Sequence, residues 1–96
     1  MIIRIVKMKF SAEKVEDFKS LFWKTRPGIL EFDGCRDVKL MQSENDPQVI
    51  STYSVWENTV CLDKYRFSEF FKTTWTTIKP WMIEKADAVS YLEVEK

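Results

Sequence analysis

The sequence predicts an α+β fold in the order β-α-β-β-α-β: a four-stranded antiparallel sheet with its helices on one face. Three observations carry this. Stretches rich in β-branched and aromatic residues lie at 2–10, 35–43, 48–56 and 87–95. Apolar residues at helical spacing fill the two long gaps, and turn formers fill the short gap between the middle strands. The connection lengths suit two split crossovers, which is the ferredoxin-like plan.

In the first strand, Val6, Met8 and Phe10 alternate with Lys7 and Lys9. Ser11 is suited to cap the next helix, and Glu13 falls in a first turn whose dipole favours negative charge. Val15, Phe18, Leu21 and Phe22 recur at helical spacing until Arg26-Pro27-Gly28, where the helix is predicted to break. Ile29 to Phe32 then adds a short helical turn, stopped by Asp33-Gly34. The run Ser43-Glu44-Asn45-Asp46-Pro47 reads as a hairpin loop. Asn58 caps a helix with Cys61, Leu62 and Tyr65 on one face. Ser68 caps a further segment whose stripe is Phe71, Trp75, Ile78 and Met82. Pro80 ends or kinks it near Trp81, and Val89, Tyr91, Leu92 and Val94 supply the last strand.

The 96 residues make one domain, 1–96. With 45% hydrophobic and 31% charged residues the chain has the makeup of a globular protein rather than a disordered one. Fifteen basic residues balance fifteen acidic ones, so the basic excess of a nucleic-acid binder is missing. Arg4, Lys7 and Lys9 read as a solvated strand face. The first ten residues lack the pattern of a signal peptide, and no run reaches the roughly 18 apolar residues of a membrane helix. Cys35 and Cys61, without Cys-x-x-Cys spacing, read as two buried reduced thiols in a cytoplasmic protein. The sequence contains no histidine, which removes the commonest neutral-pH base and the commonest metal ligand. No metal site and no cofactor are expected.

A sheet with helices on one face and water on the other should alternate cleanly between apolar and polar. Here Ile3 and Ile5 oppose Val6 and Met8, Val49, Tyr53 and Val55 oppose Ile50 and Trp56, and Val89 and Tyr91 oppose Leu92 and Val94. Both faces are apolar and no element is left over to cover the second. A second copy of the chain, sheet against sheet, is the economical cover, so the expectation is a homodimer with a dimeric α/β barrel between protomers.

Several features together carry a resemblance to a known group. They are Glu16-Asp17-Phe18 after the first strand, Gly34-Cys35 opening the second and Asp46-Pro47 in the hairpin. Trp56-Glu57 closes the third strand, and Leu62, Tyr65, Ser68 and Phe71 follow. The chain resembles the antibiotic-biosynthesis-monooxygenase type of the dimeric α+β barrel superfamily. The resemblance implies a pocket in each protomer between helices and sheet. In enzymatic members it accepts flat aromatic or quinone-like molecules, and oxygenation can proceed without metal or flavin. Haem-degrading members use a histidine on the second helix, whose place falls at Trp75, and an asparagine on the first strand, absent from residues 2–10.

Tyr65, Trp75, Phe71, Tyr53, Arg4 and Trp23 are the candidate ligand-binding residues. Each has a structural reading beside the functional one. Trp75 and Phe71 are core or pocket wall. Tyr65 and Tyr53 either bond a backbone carbonyl or orient a ligand oxygen. Arg4 pairs with a ligand anion or bridges to an acid across the dimer. Trp23 forms a pocket rim or packs on the Pro27 turn, while Trp56 reads as a structural anchor. No catalytic residue is assigned. The functional expectation is a cofactor-independent monooxygenase acting on a small aromatic ligand; the alternative is a dimer of the same fold that binds without catalysis.

Overall fold

A computed structural model gives the structure of residues 1–95. Strand β1 (Ile2–Lys9) leads through a 3-10 turn (Ala12–Lys14) into helix α1 (Val15–Leu30). Strands β2 (Cys35–Gln42) and β3 (Val49–Trp56) form a hairpin. Helices α2 (Thr59–Arg66) and α3 (Glu69–Ile78), a second 3-10 turn (Lys79–Trp81) and strand β4 (Asp87–Leu92) follow. The strands pair antiparallel in the order β2-β3-β1-β4, the ferredoxin-like arrangement that the element order predicts.

Two of the expected caps form. The Asn58 side chain accepts from the Cys61 N–H at 2.9 Å, and the Ser68 hydroxyl accepts from the Phe71 N–H at 3.1 Å. Each satisfies one orphan donor at a helix start and contributes about 1 kcal/mol. Ser11 caps nothing with its side chain; the chain takes the 3-10 turn first and α1 begins at Val15. The hairpin loop is tied by Asp46, whose Oδ1 accepts from the Gln48 N–H at 3.1 Å and whose Oδ2 lies 3.2 Å from Lys9 Nζ.

The predicted break at residues 26–28 does not occur: α1 runs through Pro27 to Leu30. Proline at 27 leaves the Trp23 carbonyl without a helical donor. Both residues lie on the exposed side of α1, where water can take the donor's place. Beyond Pro27, buried Ile29 anchors the last turn, and Arg26 Nε donates to the Val38 carbonyl at 2.9 Å, tying α1 to β2. Gly28 fits because a Cβ there would stand 2.7 Å from the Phe70 ring, so α3 rests directly on the α1 backbone. The α3 stripe also ends sooner than its spacing suggests. Met82 lies past Pro80 and pairs with Phe10 as an isolated bridge instead of continuing the helix.

The inward face of the sheet holds two separate core clusters. One gathers Ile2, Phe22, Ile29, Val38, Leu62 and Cys61 around the fully buried Trp56. The other joins Met8, Phe10, Val15, Phe18, Ile50 and Ile78. Both cysteines are free; Cys61 is buried, but Cys35 is only half-buried, at the irregular start of β2 where the register shifts before Asp37.

The outward face carries rows that the register aligns across three strands. Val55, Ile3 and Tyr91 form one row, and Tyr53, Ile5 and Val89 the next. No helix lies over them. Tyr91 is 52% exposed and Val89 37%, so the apolar second face read from the sequence is present and uncovered in the single chain.

Candidate functional site

A cavity of about 250 Å³ opens between the two core clusters, under the helices. Its origin lies in the inward positions of two neighbouring strands. On β1 these run Ile2, Arg4, Val6, Met8, and on β3 Trp56, Ser54, Thr52, Ile50. The end positions feed the two clusters, while the middle pairs, Arg4 with Ser54 and Val6 with Thr52, leave room unfilled. Ala88 of β4, beside Val6, is smaller still. These five residues are the floor, and Phe18 and Phe22 of α1, Tyr65 and Arg66 of α2, and Phe71, Trp75 and Ile78 of α3 are among those that close the roof. Of β4, whose six residues are all exposed, Ala88 alone is among the described lining residues.

A row of rings runs from the core into this wall. Tyr65 stacks on Trp56 at 5.0 Å and meets the edge of Phe71 at 5.2 Å; Phe71 stacks on Trp75 at 5.9 Å with the planes 10° apart. Trp56 is the structural anchor the sequence suggests, its indole N–H donating to the Ser54 hydroxyl at 2.9 Å. Tyr65, Phe71 and Trp75 extend that anchor to the cavity.

Only Arg4, Tyr65 and Arg66 among the described lining residues are titratable; no carboxylate, lysine, cysteine or histidine takes part. Burial holds the Tyr65 phenol protonated, pushing its pKa well above the ordinary range, with a smaller contribution from Cys35. Its hydroxyl enters none of the hydrogen bonds among the described residues, so the expected bond to a backbone carbonyl is not made. Arg4 Nη1 donates to the Ser90 hydroxyl at 3.0 Å, and no carboxylate among the described residues pairs with it. Burial lowers the Arg4 pKa and repulsion from Arg66 adds to this, partly offset by Asp63. Arg66 does have a partner: its Nε donates to Asp63 Oδ1 at 2.8 Å. Thr25 and Thr74 spend their hydroxyl protons on helix carbonyls, at 3.0 Å to Leu21 and 3.1 Å to Phe70, and offer the cavity only acceptor oxygens.

Four of the six candidates therefore meet here: Arg4, Tyr65, Phe71 and Trp75. The other two are corrected. Tyr53 points to the opposite face of the sheet, where Lys39 Nζ lies 5.9 Å from its ring centre. Trp23 sits on the outside of α1, 60% exposed, touching Phe22 edge-on at 5.4 Å. Reading the sequence also missed the polar residues Thr52, Ser54 and Arg66, among others of the lining. Thr52 and Ser54 are small side chains between inward Ile50 and Trp56, and they mark a void only once the register sets them beside Val6 and Arg4. Arg66 gives no such signal, since an arginine ending a helix is ordinary.

Comparison with known proteins recovers this two-layer α+β unit. The family model for antibiotic biosynthesis monooxygenases matches residues 1–76. The chain belongs to that family. Among curated proteins, none matches significantly. Solved structures give the antibiotic biosynthesis monooxygenase fold over nearly the whole chain. A Nitrosomonas europaea protein, described as a candidate monooxygenase of this kind, superposes with a TM-score of 0.90 at 21% identity, covering 99% of this chain and 100% of its own. A conserved protein from Methanosarcina mazei Go1 gives 0.87 at 24%, covering 95% and 91%. At such identities these neighbours establish the shared fold alone.

Haem coordination by a histidine, which the resemblance raised, does not fit this chain. An indole offers no lone pair to iron at Trp75, and the sequence has no histidine elsewhere. No helix among the described residues is long and apolar enough to cross a membrane.

Proposed function

We propose that the protein is a cofactor-independent monooxygenase for small, flat, hydroxylated aromatic or quinone-like molecules. The observation that carries this is the pairing of an apolar, ring-lined cavity with two guanidinium groups and a neutral phenol, and with no side chain able to act as a base near neutral pH. Such a site stabilises an anion without generating one. The substrate must therefore ionise by its own acidity. Arg4, Arg66 and the Tyr65 hydroxyl then donate to the anion, and Phe71 and Trp75 supply a flat wall for its rings.

Conversion of a phenol to a quinone fits this equipment. The ionised ring gives electrons to dioxygen, one oxygen atom bonds to a ring carbon, and the other leaves as water with the two hydrogens lost. All four electrons come from the substrate, so no outside reductant is consumed. Family membership supports the reaction class, and the open cavity supports a ligand of one or two rings.

The reading includes a homodimer, in which a second copy covers the rows of Ile3, Ile5, Tyr53, Val55, Val89 and Tyr91. It also includes a cytoplasmic location, whose reducing conditions suit the two free thiols, and action of residues 1–96 as one domain.

Oxygen uptake with a panel of hydroquinones and polyphenols tests the chemistry. The expected result is uptake above buffer whose pH profile moves with the pKa of each panel member. Thr52→Leu, which fills the floor, is expected to abolish it while the fold remains. No uptake above buffer from any member overturns the proposal. The lack of a lining base favours one second reading, a dimer that holds the aromatic ligand without transforming it; binding by calorimetry without uptake would select it.

A further inference from the structure

Arg4 and Arg66 differ in one respect. Arg66 is paired with Asp63 at 2.8 Å, whereas Arg4, among the described residues, bonds only the uncharged hydroxyl of Ser90 at 3.0 Å and feels Asp63 at longer range. Most guanidinium groups that leave bulk water find a carboxylate, because an uncompensated charge loses hydration without recovering it. Arg4 is half-buried at the floor of a cavity whose described lining residues include no carboxylate, and four of its five N–H donors are not taken by the Ser90 bond. It stands where an arginine would stand if its counter-ion arrived with the ligand.

The shape of the group narrows the identity of that counter-ion. A guanidinium presents parallel N–H groups in a plane, which match the two oxygens of a carboxylate; a phenolate offers one oxygen and leaves the fork half used. The cavity, at about 250 Å³, lies below the roughly 300–1,000 Å³ of pockets for drug-sized ligands, which limits the apolar part to one or two rings. We propose that the ligand is a small aryl carboxylate, its carboxylate seated on Arg4 and its ring against Phe71 and Trp75. This rests on the same cavity being the substrate site. It gives the two arginines separate duties: Arg4 holds the permanent charge. Arg66, already softened by Asp63, faces the charge that forms when a ring hydroxyl ionises.

Calorimetric titration of the full chain with 1-naphthoate and its neutral counterpart 1-naphthamide tests the assignment without any turnover, since neither carries a ring hydroxyl. The naphthoate is expected to bind about 10- to 100-fold more tightly, the range for hydrogen bonds to a charged group. Arg4→Gln should erase that preference. Arg4→Lys, which keeps the charge and loses the fork, should retain part of it. Equal affinity for both compounds, or a preference that survives Arg4→Gln in a folded variant, overturns the proposal. Should Arg4→Gln fail to fold, Arg4→Lys decides: undiminished preference there overturns the bidentate seat. A carboxylate preference with no oxygen uptake from hydroxylated aryl acids would uphold this inference and sink the monooxygenase. Uptake from neutral hydroquinones without the preference would do the reverse.

Discussion

Tyr65 is held neutral by its surroundings, and this has a measurable consequence. Its folded-state pKa lies above the unfolded value near 10 because burial disfavours the phenolate. As pH rises, the unfolded chain loses that proton first. Stability from this group is therefore whole below about pH 10 and falls as pH climbs toward the folded-state pKa. Urea denaturation at about pH 9 and about pH 11 should show a drop that is smaller in Tyr65→Phe; an equal drop would mean the phenol is not protected. Arg4 stood out in the sequence because a charge interrupts an apolar strand, but the same sequence also grouped it with Lys7 and Lys9 as a solvated face, from which strand parity separates it. Tyr53 was misplaced, although the signal was there. Trp56, a fully buried anchor three positions along the same strand, fixes the parity that sends Tyr53 outward. Arg66 was not legible, since its position depends on how α2 lies over the sheet.

Among the elements, the strands and the caps at Asn58 and Ser68 follow from local chemistry and were readable. The end of α1 was not. Proline's helix penalty is local, but the anchors that outweigh it, Ile29 in the core and Arg26 on the Val38 carbonyl, are tertiary. Pro27→Ala restores a donor for the Trp23 carbonyl without touching those anchors. It should raise stability by about 1–3 kcal/mol in urea titration; a loss would mean that α1 needs its proline. At the next turn, Gly34 has φ +79°, and a Cβ there would run into the Cys61 side chain. Gly34→Ala combines a strained backbone with overpacking and should cost about 2–4 kcal/mol. The cost should shrink when measured in a Cys61→Ala background, and an unchanged cost would assign it to the backbone alone.

At the scale of the whole molecule, the sheet is apolar on both faces while the helices cover one, and this is the ground for the proposed dimer. Sedimentation at micromolar concentration should give twice the mass of one chain. Ile5→Lys, placed between Tyr53 and Val89 on the outward face, should shift it to single chains with the fold intact. A wild-type species of one-chain mass would remove the dimer. The void between the clusters was not legible in advance: small residues at Thr52, Ser54 and Ala88 mean little until register brings them together.

Strand β1 serves two clients by turns, its even positions the cavity and its odd positions the outward rows. Swapping one side chain along it disturbs one client only. Removing or adding a single residue between Ile2 and Met8 rotates the rest of the strand by half a turn, sending the guanidinium outward and aliphatic bulk into the hollow. Lineages of this protein should therefore keep the letter count of β1 even where single letters change.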